Sequence, residues 1–423
     1  MKKNNHSQFC SFCDGSDLNE VIDFGEVALA GGFLMSKQFD KEVFYPLRLY
    51  FCSNCYAVQV IDKVSEDTLF KNYFYFSSSI KTLRDHFTNY AAEISSRFLD
   101  KPEKASVIEF GCNDGVLLIP LADQGIKTVI GVDPATNIVQ TINDSRVKVI
   151  NDFFNEKVAQ KIIMDYGKVD IVLANNVYAH IPDIQGITRA IFNVLNDEGI
   201  FIFEVHYLGG IINELQYDMI YHEHLYYYSL LSLINHFHRY NMHIFDVKPV
   251  PTHAGSMRFY VCKKGSQNSY SESKEVTLLK KEEIKKGFHK AETYYRFASD
   301  VLSRKNDLMD LLIKIKEKGQ TIVGYGASGR ANTMIQYCGI DHKILDYIID
   351  DAPAKTGFYT PGAHFLIKSK LALSELPQPH YILIFAWSFF SEIANKNQEY
   401  FEKGGKMIVP LPEIKIISNV KDC

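Results

Sequence analysis

Tyr221, His222, Glu223 and His224 stand in consecutive positions, a phenol, two imidazoles and a carboxylate in one short stretch. Such a set can remove a proton, donate one and orient the group that does so. A third imidazole, His180, ends the stretch N-N-V-Y-A-H (175–180). The spacing is not the H-E-x-x-H zinc pattern, because the histidines of Y-H-E-H are two apart and none follows four later. Proton transfer to or from oxygen or nitrogen needs at most one base. Attack from a carbon beside a ketone needs more, because the C–H is a poor acid. A base must take the proton while a donor holds the developing enolate oxygen. Two segments with this inventory, both close to expected strand ends, predict that His180, His222 and His224 converge on one site.

Four of the eight cysteines come as two C-x-x-C pairs, Cys10/Cys13 and Cys52/Cys55. Thiolates two residues apart on a tight turn can share one tetrahedral Zn²⁺, and two such turns complete its shell. A closed four-sulfur site leaves no open position, so the expectation is one structural zinc per chain. Buried or redox thiols without metal are the alternative.

Two glycine-bearing turns follow expected strands. After V-I-E-F come Gly111, Cys112, Asn113, Asp114 and Gly115, with Glu109 just before. Asp133 ends the next strand, where a carboxylate can accept from ribose hydroxyls. Asp152 and Phe153 follow the third strand and Asn175 the fourth. Acidic, aromatic and amide groups at successive strand ends describe a pocket for an adenosyl ligand with an amino-acid tail, and E-x-G-x-N-x-G resembles the S-adenosylmethionine motif of class I methyltransferases. The alternative is a phosphate-binding dinucleotide turn, but the third small residue of G-x-G-x-x-G is missing. The second turn, G-Y-G-A-S-G (324–329), carries Gly324, Gly326, Ala327 and Ser328 and is followed by Arg330. It fits G-x-G-x-x-G, and Asp350 and Asp351 lie about twenty residues on, as in an NAD site. The same amides and helix start would also cradle a diphosphate. A purely structural turn is a further alternative.

The elements that must hold these residues alternate. Strands are expected at 105–110, 128–132, 147–150, 169–175 and 199–205 with helices between, which predicts a parallel, doubly wound α/β sheet. Strands at 243–250 and 256–264 are joined by a short loop and must be antiparallel. Five parallel strands closed by an antiparallel pair resemble the class I methyltransferase order. A strand at 43–52 leads into the second cysteine pair, and a helix is expected over 79–100. Residues 265–275 read as a linker, a charged helical stretch runs to about 318, and a second Rossmann-like α/β pattern follows. The domains are expected at 1–78 (zinc ribbon), 79–266 (methyltransferase) and 267–423 (Rossmann-like). At 423 residues, 46% hydrophobic and 23% charged, the chain is an ordinary globular one. A net charge of −4 supplies no global field for nucleic acid. No apolar run approaches the ~20 residues that span a bilayer. A start without a signal-like apolar core points to a cytoplasmic protein.

The motifs C-x-x-C…C-x-x-C, Y-x-Y-x-S-S (Tyr73, Tyr75, Ser77, Ser78), E-x-G-x-N-D-G, Y-H-E-H-L, H-x-G-S-x-R (His253, Gly255, Ser256, Arg258) and G-Y-G-A occur in this order. The pattern resembles the three-domain sugar C-methyltransferases over nearly the whole chain. That family methylates a nucleotide-linked 4-keto-deoxysugar at the carbon beside the ketone. The resemblance implies His224 as general base, Tyr221 as enolate donor, Glu223 as an orienting partner, and His180 and Tyr75 as further pocket residues. It also implies that the C-terminal turn, with Gly324, Gly326, Ala327, Ser328 and Arg330, holds a sugar nucleotide (dTDP- or GDP-linked) and not NAD. Asn113 stands where many methyltransferases have glycine, Arg330 where lysine is common, and His206 where the family carries proline. Other readings are a small-molecule O- or N-methyltransferase, a zinc-ribbon nucleic-acid-binding protein and an NAD-linked sugar oxidoreductase. The sequence leaves the oligomeric state open.

Overall fold

In the computed structural model, residues 5–6, 8–70, 76–265 and 270–420 are described. Long β-prone runs near the N-terminus form three antiparallel strands, Leu18–Ala28 (β1), Phe44–Cys52 (β2) and Val58–Val60 (β3). The cysteine pairs sit at the turns that lead into β1 and out of β2.

The helix expected over 79–100 is Lys81–Phe98 (α1). Leu83, Phe87, Tyr90, Ala91 and Ile94 recur at helical spacing and are buried. They lie in one cluster with residues from one face of the central sheet, where each large side chain contributes about 1.5–3 kcal/mol. That sheet has parallel strands Ser106–Phe110 (β4), Thr128–Val132 (β5), Val147–Ile150 (β6), Val169–Asn175 (β7) and Leu195–His206 (β8). The next strand, Tyr226–Tyr227 (β9), leaves this sheet and pairs antiparallel with β3. The chain then returns as Met242–Val250 (β10) and Ser256–Lys263 (β11). The strand order is β10-β11-β8-β7-β4-β5-β6, with β11 antiparallel to both neighbours. The doubly wound sheet closed by an antiparallel pair is thus present. The detour through β9 was not foreseen, because a two-residue edge strand has no periodicity to read.

The charged stretch forms two helices, Lys274–Lys286 (α2) and Ala291–Glu317 (α3). The second Rossmann-like sheet runs β14-β13-β12-β15-β16-β17, from Ile322–Tyr325 (β12), Ile348–Ile349 (β13), Ile367–Lys368 (β14), Tyr381–Ile384 (β15), Lys406–Val409 (β16) and Lys415–Ile417 (β17). Only β17 is antiparallel. Helix Gly329–Cys338 (α4) follows β12, its first turn capped by Ser328 Oγ on the Ala331 N–H. The N-terminal sheet, α3 and the C-terminal sheet share one apolar core, and Phe51 of β2 stacks on Tyr294 of α3 at 4.5 Å. Among the described residues no helix is long and apolar enough to cross a membrane.

Candidate active site

The two cysteine pairs close on each other. The sulfurs of Cys10, Cys13, Cys52 and Cys55 all lie within 4.8 Å of one another, with 3.5 Å from Cys10 to Cys55 and 3.7 Å from Cys13 to Cys52. Four thiolates around a Zn–S bond of ~2.3 Å would stand roughly 3.8 Å apart. Gln59 Nε2 donates to Cys10 Sγ at 3.0 Å and Asn54 Nδ2 to Cys13 Sγ at 3.2 Å, an outer shell that suits bound thiolates.

At the end of β4 the chain turns through Gly111, at φ +67°. A Cβ there would lie 2.6 Å from a methyl of Val177. Asn113 is left-handed too, at φ 51°, and asparagine tolerates that region better than other side chains. Asp133 holds the turn: its Oδ2 accepts from the Asn113 N–H and its Oδ1 from the Ala135 N–H, both at 2.9 Å. The segment before α1 is tied to the same turn, with Ser77 N–H on Asn113 Oδ1 and Ser78 N–H on Asp114 Oδ2, each at 3.0 Å. Tyr73 and Tyr75, just before these serines, lie outside the described residues. Across the turn, Asn175 Nδ2 donates to Glu109 Oε1 at 2.9 Å. Asp152 is exposed at the end of β6, its Oδ1 accepting from the Phe153 N–H at 2.8 Å, and Phe153 is half-buried.

Four buried oxygens at this strand edge, Glu109 Oε2, Asp114 Oδ1, Asn175 Oδ1 and Asn176 Oδ1, have no hydrogen-bond partner among the described residues. Unmatched acceptors cost about 1–3 kcal/mol each. They fit a donor-rich cation, such as the ammonium of an S-adenosylmethionine tail. Burial, with Asp133 nearby, pushes the Glu109 carboxyl up to about 8.

The Y-H-E-H stretch is a tight turn in which the His224 N–H donates to the Tyr221 carbonyl at 2.9 Å. The two side chains therefore share a side, with ring centroids 4.0 Å apart. His224 is buried, and its Nδ1 lies 2.8 Å from the Met219 carbonyl oxygen. A carbonyl only accepts, so Nδ1 carries the hydrogen and Nε2 the lone pair, as a base requires. His180 packs against His224 at 5.1 Å and against Phe70 at 5.7 Å. Burial and the neighbouring His224 hold its pKa well below the usual histidine value. The Leu225 N–H donates to the Ala179 carbonyl at 2.9 Å, which joins the two stretches. His222 does not join them: its ring nitrogen Nε2 meets the Pro46 carbonyl at 3.1 Å, in the N-terminal unit. Glu223 reaches toward the same unit, where a Cβ on Gly31 would lie 3.3 Å from its Oε1.

In the C-terminal turn, a Cβ on Gly324 would lie 2.6 Å from Phe385, and Gly326 takes φ +97° against Ala386. Asp350 accepts from the Ala327 and Ala352 N–H groups, each at 2.8 Å, and from Lys355 Nζ at 3.1 Å. Ser328 spends its hydroxyl on the helix cap. The Arg330 fork is spent on Asp218, with Nε to Oδ2 at 2.8 Å and Nη2 to Oδ1 at 3.2 Å. The turn P-G-A-H (361–364) is clasped by the N-terminal unit: Glu42 accepts from the Gly362 N–H at 2.9 Å and pairs with His364 at 2.7 Å.

Family models match in the same order as these sites. A zinc binding domain matches residues 10–70, a methyltransferase domain residues 83–246, and a C-methyltransferase C-terminal domain residues 251–412. C-methyltransferase NovU of Streptomyces niveus is 29% identical over 411 residues, 97% of this chain and 96% of that protein. The chain is thus similar to a C-methyltransferase over nearly its whole length, with the three family models in consecutive order. Ribosomal protein L11 methyltransferase of Clostridium botulinum (strain Eklund 17B / Type B) is 33% identical over 118 residues, 27% of this chain and 34% of that protein. Among solved structures, magnesium protoporphyrin IX methyltransferase from Synechocystis PCC 6803 with bound SAM aligns at a TM-score of 0.33. It is 15% identical and covers 43% of this chain and 79% of that one.

The C-methyltransferase thus uses S-adenosylmethionine and carries zinc in its N-terminal unit. Three residues of this C-methyltransferase site escaped the sequence. His206 lies 5.3 Å from His224, ring to ring, and its only signal was a departure from the family's proline. Asn176 offered its adjacency to Asn175. Asp218 offered no signal, because one acid in a loop is ordinary until its partners are known.

Proposed function

We propose that this C-methyltransferase methylates the carbon beside the ketone, C-3, of a nucleotide-linked 4-keto-deoxysugar through an enolate, to make a branched sugar for a natural product or surface glycan. One observation carries the reading. The Met219 carbonyl at His224 Nδ1 makes Nε2 the basic nitrogen of the neutral ring, and the Tyr221 phenol stands beside it on the same turn. A base and a donor in one buried site are what a carbon acid requires.

In this mechanism His224 Nε2 takes the proton from carbon, the C–H electron pair becomes the C=C bond of the enolate, and the C=O π pair moves to the oxygen. The Tyr221 hydroxyl donates to that oxygen. His180, held neutral by burial, lines the pocket without competing charge, Glu223 orients the turn, and Tyr75, outside the described residues, is proposed as a further pocket residue on the family resemblance alone. Bound S-adenosylmethionine supplies a sulfonium methyl, the electrophile for the nucleophilic carbon. Glu109, Asn113 and Asn175 with the Gly111 turn would hold its amino-acid tail, Asp133 its ribose, and Asp152 and Phe153 its adenine. The turn Gly324, Gly326, Ala327 and Ser328 would seat the dTDP or GDP diphosphate against the first amides of α4, its glycines shaping the approach while the Gly324, Gly326 and Ala327 N–H groups stay on Tyr347, Ile349 and Asp350, with Arg330 bracing the helix. The enzyme would act in the cytoplasm.

The test is product analysis with a panel of keto-sugar nucleotides and labelled methyl donor. Deuterium exchange at C-3 with S-adenosylhomocysteine bound would report the base separately. Methylated branched sugar from a 4-keto substrate is the expected result. Methyl transfer to oxygen or nitrogen alone would overturn the reading.

A further inference from the structure

Asp218 stands three residues before Tyr221 and is fully buried. A buried carboxylate needs matched donors, and Asp218 has three, two from Arg330 and one from the Trp387 indole N–H at 2.9 Å. The Arg330 guanidinium also lies over the Trp387 ring, 4.5 Å from its centroid, and reaches Ser388 Oγ at 3.3 Å. The loop that leads into the catalytic turn is thus gripped by two C-terminal segments, the start of α4 and the residues after β15. Helix α4 adds more contacts. Thr333 Oγ1 donates to the Ile220 carbonyl at 3.0 Å, and Tyr217 Oη meets Cys338 Sγ at 3.4 Å. A Cβ on Gly329 would lie 3.3 Å from the Tyr221 ring.

We propose that Asp218, with Arg330 and Trp387, positions Tyr221 against the substrate and couples the C-terminal glycine turn to the catalytic turn. The proposal deepens the functional reading above and rests on its assignment of Tyr221 as the enolate donor. Helix α4 starts directly after Gly324–Ser328, so a ligand seated on that turn bears on the helix end that holds Tyr221. A misplacement of ~1 Å at a reacting group can cost about 10²-fold in rate. Asp218, Arg330 and Trp387 are positioning residues in this scheme, acting through the phenol.

The first test needs no sugar. 4-Fluorophenylalanine incorporated in place of Tyr221 gives one ¹⁹F resonance at the ring. Asp218→Asn, Arg330→Lys and Trp387→Phe should each shift or broaden it while S-adenosylmethionine affinity stays within twofold. Emission from Trp387, the one tryptophan in the sequence, reports that the first two variants are folded. A resonance unmoved by all three substitutions overturns the proposal. The second test is turnover on a keto-sugar nucleotide. Asp218→Asn should lower kcat about 10- to 100-fold with KM changed less than threefold, and should add little further loss in a Tyr221→Phe background. Multiplication of the two losses in the double variant overturns the proposal. If no keto-sugar nucleotide is turned over by the unaltered enzyme, the substrate reading fails, and the ¹⁹F result alone decides the role of Asp218.

Discussion

The glycine turn after β4 and the glycine turn after β12 are built on one device. In each, an aspartate at the end of the neighbouring strand accepts two backbone N–H groups, one from the turn and one two residues beyond itself. Asp133 takes those of Asn113 and Ala135, and Asp350 those of Ala327 and Ala352. The surroundings differ. Lys355 reaches Asp350 and the Ala327 carbonyl, and Asp218 engages Arg330, so charge at the second turn is matched within the protein. At the first turn, Glu109, Asp114, Asn175 and Asn176 each keep a buried oxygen with no partner among the described residues. The same backbone turn is thus set in two different polar surroundings, and those side chains, not the glycines, distinguish the two.

If the first turn holds the methyl donor and the second the acceptor, the Y-H-E-H turn between them must hold the base. The largest effect is then expected at His224. His224→Ala should abolish C-3 proton exchange and methylation together, a loss of roughly 10²–10⁴. Exchange at the unaltered rate would move the base elsewhere, with His180 the next imidazole to substitute. Asp133→Ala comes next. It should weaken S-adenosylmethionine binding by about 1.5–3 kcal/mol, roughly 10- to 150-fold. Calorimetry returning the original affinity would mean that the first turn is not the donor site.

The unmatched acceptors make a pH forecast. The Glu109 carboxyl is raised from 4.5 to about 8 by burial, so it is protonated in the free enzyme at neutral pH. Its contribution to stability is present at low pH and is lost as pH rises through about 8. A bound ammonium favours the carboxylate, so binding S-adenosylmethionine releases a proton. Affinity should rise with pH, by at most about tenfold per unit, and level off near 8. Calorimetry in buffers of different ionisation enthalpy measures the proton count, and Glu109→Gln should remove the slope. The smallest effect is expected at the second turn. Asp350→Asn should leave donor affinity unchanged and lower stability to denaturant by about 1 kcal/mol. A large loss of donor affinity would break the division of labour between the two turns.

Much of this division was legible from residue order. The five parallel strands and the closing pair followed from runs such as V-D-I-V-L-A-N, since a strand buried on both faces reads as continuous apolar sequence. The cysteine pairs announced themselves by spacing, and Gly111 and Asp133 by lying at expected strand ends. Adjacent residues were harder to sort. His222 and His224 are two apart, yet one is tied to Pro46 and the other stands in the pocket. Nothing in Y-H-E-H tells them apart, because a turn sends alternate side chains to opposite sides and only the neighbouring units define those sides.

The sequence by itself determined the order of the elements, the zinc ligands and the residue types available for carbon acid chemistry. All are encoded locally, in period, spacing and side-chain type. Tertiary structure alone decided which of those groups remain available. Arg330 was readable as a positive charge beside a glycine turn, but Asp218, 112 positions earlier, neutralises it. The Nδ1–H form of His224 likewise depends on the Met219 carbonyl, whose direction is set by the fold. Burial raises the cost of every unmatched charge and donor, so function is fixed by pairings between residues far apart in the chain, which local sequence does not specify.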